Sequence, residues 1–172
     1  MNRKLQSHGI RAAFLGMCTS LALILSYVEF LLPPISSVAP GIKVGLANVM
    51  TVFVMYRVGI KPCAFVLTLR ILLSSILFGS AVSLLYSTLG GVLSFCVMVL
   101  LKKTDKFSPV GVSAAGGVTH NAGQIIGAVL LMKTPEISYY FPILAISGII
   151  SGIFVGILGG VLLKTLQNVK LY

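Results

Sequence analysis

Six apolar runs, each close to the length that crosses a bilayer, follow one another along 172 residues with little chain between them. A helix of about 20 apolar residues spans the hydrocarbon core, and only helices and closed barrels satisfy their backbone hydrogen bonds there. The runs cover residues 10–32, 44–59, 62–78, 81–101, 109–132 and 142–163. Together they take up most of the chain and exclude a sizeable soluble domain. The expected fold is an all-α integral membrane protein, a six-helix transmembrane bundle that makes residues 1–172 a single domain. With 57% apolar and 9% charged residues, the composition agrees.

Punctuation between the runs supports this division. Pro33-Pro34 closes the first run, and Lys61-Pro62 opens the third with a proline in the first turn, where it costs no hydrogen bond. Lys102-Lys103 stops the fourth, and the cluster Tyr139-Tyr140-Phe141 ahead of the sixth fits an interfacial aromatic belt. Basic residues before the first run, with the small residues Ser37-Val38-Ala39 after it, also fit a signal peptide. The run is longer than the roughly 7–15 apolar residues of such segments, so retention of this helix is expected.

The charge balance of +10, from 13 Lys plus Arg against 3 Asp plus Glu, would suggest nucleic acid on a soluble chain. Here the basic residues sit in clumps between apolar runs, which excludes a nucleic-acid surface and instead fits the positive-inside rule. With the N-terminus inside, ten of the 13 face the cytoplasm, Lys43 and Lys133 lie outside, and Arg70 is within a span. The expectation is a multi-pass protein of the cell (cytoplasmic) membrane, surrounded by lipid, with both termini inside. Cys18, Cys63 and Cys96 show no CxxC spacing and are read as small packing residues, so no metal site is expected.

Once each helix has a direction, the polar residues sort by depth. Glu29 falls near the outer end of the first helix, Asn48 at the outer start of the second, and Tyr86 and Ser87 in the outer half of the fourth. Arg70 and His120 sit near mid-depth, Asn121 adjoins His120, and Gln124 lies one turn further out. These eight residues point to an outward-facing polar cavity that binds substrate. Structural alternatives stand beside that reading. An arginine at a helix centre costs about 2.5–3.5 kcal/mol on insertion scales, so Arg70 pairs with Glu29, with backbone carbonyls or with a ligand. His120 and Gln124 serve equally as hydrogen bonds between helices, and Asn48 as a cap or bridge. One Arg, one His and several amides against a single Glu suit a planar or weakly anionic ligand better than a cation.

Small residues mark close helix contacts. Gly148, Gly152, Gly156 and Gly160 form overlapping GxxxG units on the sixth helix, with Gly123 and Gly127 on the fifth, and pack within the subunit or form a dimer seam. Ala12, Gly16 and Ser20 make a similar row on the first helix, able to receive a partner's helix. There is no phosphate-cradling nucleotide loop, no HExxH and no GxSxG motif, and Asp105 is the only aspartate. No enzymatic role and no bound cofactor are therefore expected, and any ATP hydrolysis belongs to partner subunits.

Four strings resemble a known family: Pro40-Gly41-Ile42-Lys43-Val44-Gly45-Leu46-Ala47-Asn48-Val49, the Leu69-Arg70 to Phe78-Gly79 segment, Tyr86-Ser87-Thr88-Leu89-Gly90-Gly91, and Gly117-Val118-Thr119-His120-Asn121 to Gln124. They look like the bacterial membrane family named both Gx transporter and heptaprenyl diphosphate synthase component I. That family is similar to the S-components, the substrate-binding subunits of energy-coupling factor (ECF) transporters. The resemblance implies a vitamin-like or cofactor-like ligand, such as a flavin or a precursor, held under the loop 33–43. It also implies a transmembrane coupling (T) subunit and two cytoplasmic ATPases as partners, with the coupling subunit contacting the Ala12, Gly16 and Ser20 row. The alternatives are a non-catalytic membrane partner of a heptaprenyl diphosphate synthase in isoprenoid quinone synthesis, and a stand-alone secondary transporter.

Overall fold

The apolar runs form helices in the computed structural model, which describes residues 3–32 and 45–168, with side chains from Gly9 onward. The order is α1 (Arg3–Leu31), α2 (Asn48–Arg57), α3 (Ile60–Leu77), α4 (Ala81–Lys103), α5 (Pro109–Met132) and α6 (Phe141–Thr165), with a short 3₁₀ helix, Pro135–Tyr140, leading into α6. No strand occurs among the described residues. The loop 33–43, with Lys43 and the start of the Pro40 string, lies outside them.

Local chemistry sets the helix ends. Ser80 accepts a hydrogen bond from the Ser83 N–H at 3.1 Å and starts α4, while Ser108 does the same for the Gly111 N–H at 3.2 Å and starts α5. Pro109 follows Ser108 in the first turn. The second run, expected over 44–59, yields only the ten residues of α2. Gly45 at φ +76° and Gly59 at φ +125° adopt backbone conformations that an α-helix cannot continue, and they cut the run at both ends.

Four stretches are long and apolar enough to cross a membrane: Gly9–Leu31, Ile60–Leu77, Ala81–Lys103 and Pro135–Thr165. The chain is a membrane protein. α5 has the length, at 24 residues, but Thr119, His120, Asn121 and Gln124 dilute its apolar character. α2 is about 15 Å long at 1.5 Å per residue, half a bilayer, and lies inside the bundle rather than against lipid. Every residue from Val49 to Met55 is buried, and Val52, Val54 and Met55 are among the largest fully enclosed side chains.

Cys18 and Cys63 join this core, and the Cys63 thiol donates to the Thr51 carbonyl at 3.2 Å. Cys96 is exposed, so the packing reading holds for two cysteines and fails for the third. The C-terminal end of α2 is held by two basic side chains. The Lys102 ammonium donates to the Met55 carbonyl and lies 4.9 Å from the centre of the Tyr56 ring. Arg57 donates to the carbonyls of Leu166 and Gln167 at 3.0 and 3.1 Å and so caps the end of α6.

α5 runs between α4 and α6 at near backbone contact. A Cβ on Gly123 would lie 2.7 Å from the Leu89 carbonyl, one on Gly152 2.6 Å from the Ser113 carbonyl, and one on Gly156 2.6 Å from Val110 Cα. Three of the four glycines in the α6 run therefore pack within the subunit, while Gly160 faces open space. α1 is the least enclosed wall, with Cys18, Thr19 and Ala22 its only buried residues among those described.

These contacts separate two glycines of the same residue type. Gly117→Ala drives a Cβ into the Gly148 carbonyl, and backbone on both sides leaves nothing to yield. The expected loss is about 1–3 kcal/mol, read as a lower thermal unfolding midpoint in detergent. Gly160→Ala meets nothing and gains up to about 1 kcal/mol of helix propensity, so its midpoint should equal or exceed the parent's.

Candidate functional site

The helices surround a cavity of about 350 Å³, within the usual range for small-molecule sites. Helical spacing explains why so many polar residues share it. On α4 the sequence Ser80, Ser83, Ser87 advances by three and four residues and so keeps to one face. On α5, Gly117, Asn121 and Gln124 do the same, and on α3 Arg70 and Ser74 are one turn apart. α1 contributes Ser26, Glu29 and Phe30, and α6 contributes Ser151.

Seven of the eight residues read as substrate-binding line this cavity: Glu29, Asn48, Arg70, Ser87, His120, Asn121 and Gln124. Tyr86 does not. A step of one residue turns a helix by about 100°, which puts Ser87 on the cavity side and Tyr86 against α5 beside Gly127. The sequence reading passed over Ser26, Ser74, Ser80, Ser83, Ser151, Phe30 and Phe78. Ser26, Ser74 and Ser83 stand three or four residues from Glu29, Arg70 and Ser87, a spacing shared by many hydroxyls in membrane helices, and Ser151 and Phe30 carried no such mark.

A chain of hydrogen bonds builds the floor. The Glu29 carboxylate accepts the Gly45 N–H, the Gly45 carbonyl accepts the Asn48 N–H at 2.8 Å, and the Asn48 side-chain oxygen accepts from Arg70 Nη2 at 2.9 Å. Arg70 thus hydrogen-bonds to a side-chain amide, neither of the two protein partners, Glu29 and backbone carbonyls, that the sequence offered it. The reason is geometric: the turn Gly45–Asn48 stands between the two charges and offers a donor to one and an acceptor to the other. The turn also requires Gly45, whose φ of +76° is strained for any residue with a Cβ.

Two further residues are held by packing as well as facing the cavity. Asn121 Nδ2 donates to the Leu144 carbonyl at 2.6 Å and ties α5 to α6. The His120 ring and carbonyl lie against Gly90 of α4, at 3.1 and 2.8 Å from where a Cβ would stand. Elsewhere, Ala12, Gly16 and Ser20 are all exposed, and a Cβ on Gly16 would meet nothing within 4 Å. The Ser20 hydroxyl donates to the Gly16 carbonyl at 3.0 Å, which satisfies its polarity within the helix.

The family model described as heptaprenyl diphosphate synthase component I matches residues 18–162. The chain belongs to that family. No curated protein and no solved structure matches the chain. The stretch matched by the heptaprenyl diphosphate synthase component I family contains every cavity residue, from Ser26 to Ser151. It begins after Ala12 and Gly16 and includes Ser20.

The floor predicts a difference between two substitutions at one position. Glu29→Gln keeps an oxygen for the Gly45 N–H and should unfold close to the parent's midpoint. Glu29→Leu leaves that N–H unmatched and should cost about 1–3 kcal/mol, again measured by thermal unfolding in detergent.

Proposed function

We propose that the chain is a substrate-binding membrane subunit of the S-component type, working in an ECF-type ABC transporter for a small vitamin or cofactor such as a flavin or its precursor. The observation that carries this reading is the cavity, to which all six helices contribute polar or aromatic side chains around a volume suited to a small molecule. The chain binds its ligand from the outer side and does no chemistry on it. It has no nucleotide-binding loop, so a transmembrane coupling subunit and two cytoplasmic ATPases supply the energy. The coupling subunit docks on the exposed row of Ala12, Gly16 and Ser20, whose small side chains admit a helix backbone at short range. All six helices sit in the cell membrane with both termini inside, in keeping with the ten cytoplasmic basic residues.

The family's description favours a second reading: a non-catalytic membrane component that binds a soluble heptaprenyl diphosphate synthase. In that case the cavity serves assembly or stability, and the partner is an enzyme with its own carboxylates for metal-dependent diphosphate chemistry.

Purification of the tagged protein from its host in mild detergent, with mass spectrometry of proteins and small molecules, separates the two. ATPases, a coupling subunit and a bound small molecule are expected, whereas recovery of a soluble prenyl synthase alone overturns the first reading. In the same experiment Gly16→Leu should release the coupling subunit while the bound molecule remains, and Gly160→Leu should leave both in place.

A further inference from the structure

Unmatched donors in the cavity wall identify part of the ligand, an inference that rests on the small-molecule reading above. Arg70 carries five N–H donors, and the hydrogen bond it makes among the described residues runs from Nη2 to Asn48. Its Nε is buried without a partner, and so is the Ser26 hydroxyl. Both residues line the same cavity, one from α3 and one from α1. A buried donor left unmatched is costly, and one on a charged group more so, so a wall that holds two is completed by its occupant.

The complementary group is an acceptor. A guanidinium keeps its proton and matches planar or tetrahedral anionic oxygens with charge-assisted hydrogen bonds, so a carboxylate or phosphate oxygen fits better than a neutral carbonyl. Glu29 is the one acidic side chain of the lining, and its carboxylate is turned to the Gly45 N–H. The position beside Arg70 Nε is therefore not filled by the chain's own anion.

A second feature lies just past the C-terminal end of α3. Phe30 and Phe78 both line the cavity with ring centres 5.4 Å apart, and Tyr27 packs edge-on against Phe78 at 5.4 Å. Phe78 follows Arg70 by eight residues, about 12 Å along a helix, so an anionic group and an aromatic ring of one small molecule can reach both ends. Ring faces of this kind attract a further planar ring at offset-stacked or edge-on distances. We infer that the cavity takes a soluble aromatic anion, its carboxylate or phosphate at Arg70 Nε and the Ser26 hydroxyl, and its ring against Phe30 and Phe78.

The test uses the full chain in maltoside micelles, whose headgroups carry no charge, and compares 2-naphthoate and 2-naphthyl phosphate with neutral 2-naphthamide and cationic 2-naphthylmethylamine. Calorimetric titration should give the two anions an affinity about tenfold or more above the amide, with no binding of the amine. Arg70→Gln should erase the preference for the anions. Ser26→Ala, which removes a buried unmatched hydroxyl and should fold as well as the parent, should weaken the anions by about threefold to tenfold and leave the amide unchanged. Anions and amide bound equally, or an anion preference untouched in Ser26→Ala, overturn the inference while the small-molecule reading stands. No binding of any probe overturns both. Loss of the naphthoate signal in phosphatidylglycerol nanodiscs assigns the site to a lipid headgroup and overturns the soluble ligand.

Discussion

A helix of ten residues enclosed within a membrane bundle has two ends whose backbone groups need partners, and much of this structure answers that need. α2 leaves its first N–H and last C=O groups without intrahelical bonds, and unmatched groups of this kind are costly away from water. At one end the Gly45 and Leu46 carbonyls accept the Asn48 and Val49 N–H groups, and Glu29 reaches from α1 to the Gly45 N–H of that same turn; at the other end Lys102 reaches from α4 to the Met55 carbonyl. Both charged groups are thereby used on backbone, where a carboxylate suits the positive end of a helix and an ammonium the negative end. The orientation of α2 follows, and with it the placement of Asn48 beside Arg70.

The same arrangement gives the bundle two unlike halves. α4, α5 and α6 approach so closely through Gly90, Gly123, Gly117, Gly148 and Gly152 that their relative positions leave no room for a side chain. α1 is buried only at Cys18, Thr19 and Ala22 among its described side chains and leaves most of its surface uncovered. The cavity lies between these halves. His120, Asn121 and Gln124 stand on the tightly joined side, while Ser26, Glu29 and Phe30 stand on the open side, and Arg70 faces them from α3.

Helix positions were legible because apolar length and flanking Pro, Ser and Lys residues act locally: the expected run 109–132 coincides with α5, and 81–101 falls within α4. The shortening of α2 was not, since Gly45-Leu46-Ala47 continues the apolar pattern and a positive φ leaves no mark on hydropathy. Residues gathered by depth mostly meet at one cavity, because depth and helix face are both encoded by spacing. Partners were less legible. Depth brought Glu29 and Arg70 together as charges, but the turn between them belongs to tertiary structure, and it gave each a neutral partner instead. The serines were silent because a hydroxyl in a membrane helix usually satisfies itself on the preceding turn, as Ser20 does, and only the fold distinguishes Ser26, which has no such bond.

Arg70 gathers these points into one physical argument. An arginine at mid-helix in a membrane protein is tolerated where its charge meets water, protein dipoles or a ligand. In this chain the protein supplies one amide oxygen and leaves a buried nitrogen unmatched, although Glu29 lines the same cavity and an ion pair would have satisfied both groups. A purely structural arginine would be expected to take that carboxylate, since an unmatched buried charge is more costly than a matched one. The chain instead commits Glu29 to the end of α2 and holds Arg70 in place through a neutral residue. That leaves the guanidinium oriented with its Nε unmatched, the atom from which a bound anion gains most.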